Sequence, residues 1–187
     1  MNTRRFISHG PRQLEVESFD LDPLPDDGLL VENEYTAVSV GTEIYGWTQG
    51  AEPGSKASYP RTTGYCNCGT VLEVGQEVTG LEKGARVACA GAGYASHAEV
   101  VFVPKNLLAR VSPDVPDESA CFTTLGAIAV QGIRVSEAAL GDRVCVIGLG
   151  TKQLFFRLFY FCFLVIWGSE KYKCISTLFI FHPSCFF

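Results

Sequence analysis

A basic excess is missing from this chain. Its 15 Lys and Arg stand against 20 Asp and Glu, a net charge of −5, so it offers no electrostatic footprint for nucleic acid. No apolar run follows the basic residues of "MNTRRFISHGPRQLEVESF", and that start does not read as a secretory signal. Nor is there an apolar stretch of the roughly 20 residues that a bilayer-spanning helix needs. The aromatic run "LFYFCFLVIW" has ten, so a membrane partner is not expected. The eight cysteines are scattered, and only Cys66 and Cys68 lie close together. One intervening residue is not a usual zinc-knuckle spacing. Free, buried thiols in a cytoplasmic protein are the expectation.

What is present argues for a packed fold. The 187 residues are 47% apolar, enough for a sizeable core and against disorder. Up to Gly150 the punctuation is that of a β-rich domain. Gln13 to Val16 forms a short opening strand, "PLPDDG" a turn, and "LLVENEYTAVSV" a long strand rich in β-branched residues. "GTVLEVG" and "QEVTGLEKGARVACAG" give two further strands about a turn, and "HAEVVFVPKNLLARVSPDVP" two short ones around Pro104 and Lys105. Frequent turns between short strands predict a barrel-like β domain. From "PDESACFTT" the apolar spacing becomes helical, with Asp114 or Asp117 placed to cap a helix. "RVCVIGLG" then reads as a buried strand running into glycines. A change of fold class therefore falls between about residues 112 and 140.

Four stretches in order carry a resemblance. "SVGTEIYG", "TGYCNCGTVLEVGQEVTGLEKGARV", "HAEVVFVPKNLLARV" and "GDRVCVIGLG" resemble the medium-chain dehydrogenase/reductase superfamily, the alcohol dehydrogenase-like proteins. The phrases "GYCNCG" and "ACAGAGYASHAEVV" are similar to a zinc-free branch of it. The resemblance implies a mainly β, GroES-like barrel over residues 1–115. A short α/β segment over 116–150 then begins a Rossmann fold, and an irregular tail occupies 151–187. The implied function is NAD- or NADP-dependent oxidation or reduction of a small alcohol or carbonyl compound.

The departures from the family pattern bear on the site. Relatives with catalytic zinc hold it with a Cys, a His and a third Cys or acid; the matching positions here are Val40, Tyr65 and Leu125. Two have no lone pair and a neutral phenol is a poor ligand, so no metal site is expected. The four-cysteine loop of structural zinc is absent too. Charge on a substrate oxygen must then be met by hydrogen-bond donors. Thr42 matches the hydroxyl that begins the superfamily's proton relay, and Tyr65 stands where a ligand would point into the cleft. These two are the candidate catalytic residues, with Tyr45 a lesser relay hydroxyl. Glu43 matches an acid that orients the ligand histidine, and is expected to hold a structural hydrogen bond here. The alternative for Thr42 and Tyr65 is a purely structural role, one fixing a turn and the other filling an imidazole's volume.

A Rossmann loop uses three glycines: for a tight turn, for close approach to the pyrophosphate and for helix packing. Gly148 and Gly150 supply the first two and are the candidate cofactor-binding residues; the third position is Gln153. The tail after Gly150 holds nine of the 13 Phe, no Asp and a net charge of +3 against −8 before it. It reads as an aberrant segment, such as a shifted reading frame produces. The leading expectation is a zinc-free oxidoreductase's catalytic domain, cut off before its cofactor site and inactive alone. The alternative is a non-enzymatic GroES-like module whose apolar tail docks to a partner or a membrane surface.

Overall fold

The computed structural model describes residues 1–48, 58–137 and 150–151. The first sheet is built on a hairpin of β1 (Asn2–Gly10) and β2 (Gln13–Asp20), paired from Asn2↔Asp20 to Gly10↔Gln13. β1 alternates exposed and buried residues over its first half, the period-2 pattern of a strand with one covered face. The sequence pattern marks only the β2 half, beginning at Gln13. The two-residue strand β4 (Arg61–Thr62) adds to the other edge of β1, with Ser8 opposite Arg61.

The second sheet contains β3 (Gly28–Thr36), β5 (Cys66–Val74), β6 (Arg86–Ala90), β7 (Val100–Pro104) and β8 (Leu108–Arg110). Their order is β7-β3-β5-β6-β8, and every neighbouring pair is antiparallel. Leu29, Val31, Val71, Val87, Val101 and Val103 project into one core and are almost wholly buried. Each such side chain contributes about 1.5–3 kcal/mol by leaving water. Where the β3–β5 register shifts between Asn33 and Tyr35, Gly69 lies against the Glu32 backbone, leaving no room for a Cβ. The sheets are tied together where Phe6 N donates to His97 O (2.8 Å) and Glu99 N to Arg4 O (2.9 Å). The barrel-like, mainly β architecture expected from the sequence is the one observed.

Two local expectations need correction. The strand beginning at Leu29 does not run to Val40. It stops at Thr36, and Val40–Thr48 forms a helix, α1. The Ser39 carbonyl accepts the first helical bond from Glu43 N at 2.9 Å, which makes Ser39 the residue that starts the helix. Further on, neither Asp114 nor Asp117 caps α2 (Asp117–Ala120); the cap position is Pro116 and carries no side-chain bond. Asp117 is engaged elsewhere. Its Oδ1 accepts from Arg86 Nη2 at 2.6 Å and from the Cys68 thiol at 3.2 Å. The Arg86 guanidinium holds the Asp117 carboxyl below its ordinary range. Burial, with Asp117 beside it, pushes the Cys68 thiol up to about 12.

The chain divides into two compact units, Met1–Thr124 and Leu125–Phe187. The described part of the second is chiefly α3 (Thr123–Val135), whose buried residues Leu125, Gly126, Ala129 and Gly132 fall on one helical stripe. The strand expected at "RVCVIGLG" and the tail from Lys152 lie outside the described residues. No helix among the described residues is long and apolar enough to cross a membrane.

Candidate functional site

Two connecting segments meet at the open end of the second sheet. One runs from β3 into α1, the other from β4 through Gly64 and Tyr65 into β5. Ala37 N donates to Cys66 O at 2.9 Å and clamps them together, which sets Ser39 and Thr42 beside the Tyr65 ring. Ser39 Oγ donates to Thr42 Oγ1 at 3.1 Å. A hydroxyl that accepts one bond still has its own proton to give, so Thr42 is left able to donate outward. Thr42 is half-buried, whereas Ser39 is only 8% exposed.

The Tyr65 phenol oxygen is enclosed and makes no hydrogen bond of acceptable geometry. Burial raises its pKa, and the nearby hydroxyls of Ser39 and Thr42 pull in the opposite direction without cancelling that rise. The phenol is therefore protonated at neutral pH and faces two hydroxyls. Three polar side-chain atoms of this region are buried and unpartnered: Tyr65 Oη, Thr63 Oγ1 and His97 Nε2. Buried polar groups are normally paired, so each of these atoms calls for an explanation.

Gly64 makes the arrangement feasible. Its φ is +86°, and a Cβ there would lie 2.7 Å from His97 N and 2.8 Å from His97 Cγ. Only glycine adopts that backbone at no steric cost. The Gly64 N–H donates to Glu43 Oε1 at 3.1 Å, and the same oxygen lies 3.5 Å from His97 Nε2. Glu43 thus holds a structural hydrogen bond and has a histidine beside it after all, from a different part of the chain.

The structure brings Thr42 and Tyr65 together around Ser39. Tyr45 is exposed and forms no hydrogen bond to this group among the described residues. Val40 is exposed at 61% and Leu125 is buried at 1%. Among the described residues no three His, Cys, Asp or Glu side chains converge as metal ligands would. Gly148 lies outside the described residues; Gly150 is an exposed bend residue. Ser39 and His97 were not singled out as site residues from sequence. Ser39 carried a signal, a serine just ahead of Gly-Thr-Glu where a helix starts. His97 carried none, because it arrives by tertiary pairing alone.

Comparison with known proteins fits this geometry. The alcohol dehydrogenase GroES-like domain family matches residues 25–117. A curated relative, 2-desacetyl-2-hydroxyethyl bacteriochlorophyllide A dehydrogenase of Cereibacter sphaeroides, is 27% identical over 165 residues, covering 81% of this chain and 50% of that protein. The chain belongs to the medium-chain dehydrogenase/reductase superfamily. Solved structures of similar fold include a dehydrogenase from Sinorhizobium meliloti 1021, described as zinc-binding and bound to NADP. It superposes with a TM-score of 0.76 at 19% identity, over 93% of this chain and 56% of that one. Escherichia coli quinone oxidoreductase, complexed with NADPH, gives a TM-score of 0.62 at 20% identity, over 77% and 44%. The chain spans about half the length of the relatives it matches. The family match and the curated relative favour an oxidoreductase domain over a non-enzymatic module.

Proposed function

We propose that the unit formed by Met1–Thr124 supplies the substrate side of a zinc-independent, NAD(P)-dependent oxidoreductase acting on a small alcohol or carbonyl compound. The observation that carries this reading is the enclosed, unpartnered Tyr65 phenol facing the Ser39–Thr42 hydroxyl pair. A nicotinamide, when bound, would supply the hydride chemistry. Thr42 is the accessible end of the hydroxyl group. It donates to the substrate carbonyl oxygen and stabilises the charge that grows there as hydride arrives. The proton that completes the alcohol comes from Thr42, whose half-buried hydroxyl is resupplied from solvent, while Ser39 Oγ donates to it and holds it in place. Oxidation of an alcohol runs the same proton path in reverse.

Zinc does not fit this site. Val40 has no donor atom and a phenol whose pKa is raised by burial is a weak ligand, so no step is routed through a metal. For the dinucleotide, Gly148 and Gly150 would form the turn beneath the pyrophosphate, while Gln153 replaces the glycine that lets a helix pack close. On this reading the chain by itself holds NAD(P)H weakly and is inactive alone. Residues 1–115 form its catalytic domain, 116–150 lead into the cofactor fold, and 151–187 take no part in the chemistry.

The test joins residues 1–137 to the half of the Cereibacter relative that this chain does not match. Turnover is expected to survive chelators, and Thr42→Val is expected to lower it by about 10²–10⁴-fold. A fusion whose turnover is unchanged by Thr42→Val contradicts the assignment. Titration of the native chain with NADH and NADPH, followed by fluorescence, is expected to show no micromolar binding. Micromolar affinity contradicts the reading of the Gly148–Gln153 loop.

A further inference from the structure

Beside the hydroxyl site, but not containing Thr42 or Tyr65, a cavity of about 370 Å³ opens between α1 and the first sheet. That volume lies within the range of small-molecule sites, about 300–1,000 Å³. Its walls are apolar: Phe6, Leu14, Val38, Ile44 and Trp47 line it. These five are also between 44% and 56% exposed. Large apolar side chains gathered around one concavity, instead of scattered singly over the surface, mark a place where something binds.

The polar groups in the wall say what kind of ligand fits. Arg61 lines the cavity, and among the described residues no carboxylate pairs with it. Its guanidinium packs over Gly46, where any Cβ would collide with Nη2, and its carbon lies 5.8 Å from the Tyr59 ring centroid. Gly46 thus clears the space that holds the cation against the helix. Two residues along the chain, Thr63 lines the same cavity with His97 and Glu43. Strand geometry puts Arg61 and Thr63 about 7 Å apart at the backbone. The cavity wall therefore carries a cation with no carboxylate paired to it among the described residues. The wall also holds Glu43, engaged by Gly64 N and lying 3.5 Å from His97, together with two buried polar atoms that make no hydrogen bond, Thr63 Oγ1 and His97 Nε2. Glu43 is already engaged by these neighbours, which leaves Arg61 as the group that would meet an anion.

We propose that this cavity is a binding site for a small aromatic carboxylate, with the carboxylate on Arg61 and the ring between Ile44, Trp47, Phe6 and Leu14. A guanidinium matches a carboxylate through two parallel N–H···O bonds, and indole and phenyl faces cover an aromatic ring. The site stands independently of the hydride chemistry assigned to Thr42.

The test is calorimetric titration of the full chain with 2-naphthoate and with its neutral counterpart 2-naphthamide. The native chain is expected to bind the naphthoate about tenfold more tightly, as charge-assisted bonds exceed neutral ones. Arg61→Gln is expected to abolish that preference and leave naphthamide affinity unchanged. Arg61→Lys retains part of the preference, and Ile44→Glu weakens both ligands. Circular dichroism and thermal melting establish that each variant is folded, and Arg61→Lys serves should the glutamine variant fail to fold. Equal affinity of the native chain for the two ligands, no binding of either, or a preference that persists in Arg61→Gln overturns the proposal.

Discussion

Glu43 Oε1 lies 3.5 Å from His97 Nε2 and takes a 3.1 Å hydrogen bond from the Gly64 N–H. This places a helix residue, a glycine in the left-handed region and a histidine from far along the chain in one contact. Gly64→Ala puts an L-residue at φ +86° and drives its Cβ into His97 N. A non-glycine residue held in such a conformation costs about 1–3 kcal/mol. Urea denaturation is expected to show a loss of that order. An unchanged midpoint would mean that the backbone here relaxes freely and does not fix the site.

Tyr65→Phe keeps the ring and removes only the phenol oxygen, which tests whether that oxygen helps to hold the fold. The oxygen is buried without a bonded partner, so Tyr65→Phe removes a polar group that folding has already desolvated. Stability is expected to remain within about 1 kcal/mol of the native chain or to rise. A structural phenol would behave oppositely, and its loss would destabilise the fold.

The thiols give a prediction in alkali. Burial raises Cys68 and Cys89 to about 12 from an ordinary value of 9.0. A group whose folded value is raised favours the fold fully below its unfolded value, and that contribution declines as pH climbs toward the folded one. Stability is therefore expected to fall between about pH 9 and 12. At pH 8, iodoacetamide followed by peptide mapping is expected to leave Cys68 and Cys89 unlabelled in the native chain and labelled in urea. Rapid native labelling of either would contradict the packing described.

Asp117 has the opposite sign. Arg86 lowers its folded value, so its contribution is present above the unfolded carboxylate value of about 3.9 and is lost as pH falls through the folded one. Urea midpoints followed from neutral pH into acid are expected to drop more steeply for the native chain than for Asp117→Asn. Parallel curves would show that the Arg86–Asp117–Cys68 contact does not tie α2 to the barrel.

Much of the barrel was legible because its strands are bounded by turn residues and filled with Val and Leu at period two. Helix α1 was not, since Val38 and Val40 continue the β-branched character of the strand before them. What ends the strand is tertiary: Ala37 N donates to Cys66 O across to β5, and Gly46 packs beneath Arg61. Thr42 and Tyr65 could be singled out from their motif positions. Arg61 and His97 could not, because pairing of β4 with β1 and of His97 with Thr63 and Phe6 brings them to the site, and neither pairing leaves a local pattern. Asp117 misled as a capping residue because an arginine and a thiol, both distant in sequence, compete for its carboxylate.

Under the proposed function, hydroxyls stand in the place where a metal would act. Zinc content after equilibration with excess zinc and gel filtration, read by plasma mass spectrometry in the native chain and in Tyr65→Phe and Cys66→Ser variants, tests it most directly. No zinc dependent on these positions is the expected result. Stoichiometric zinc in the native chain that either substitution removes would contradict it.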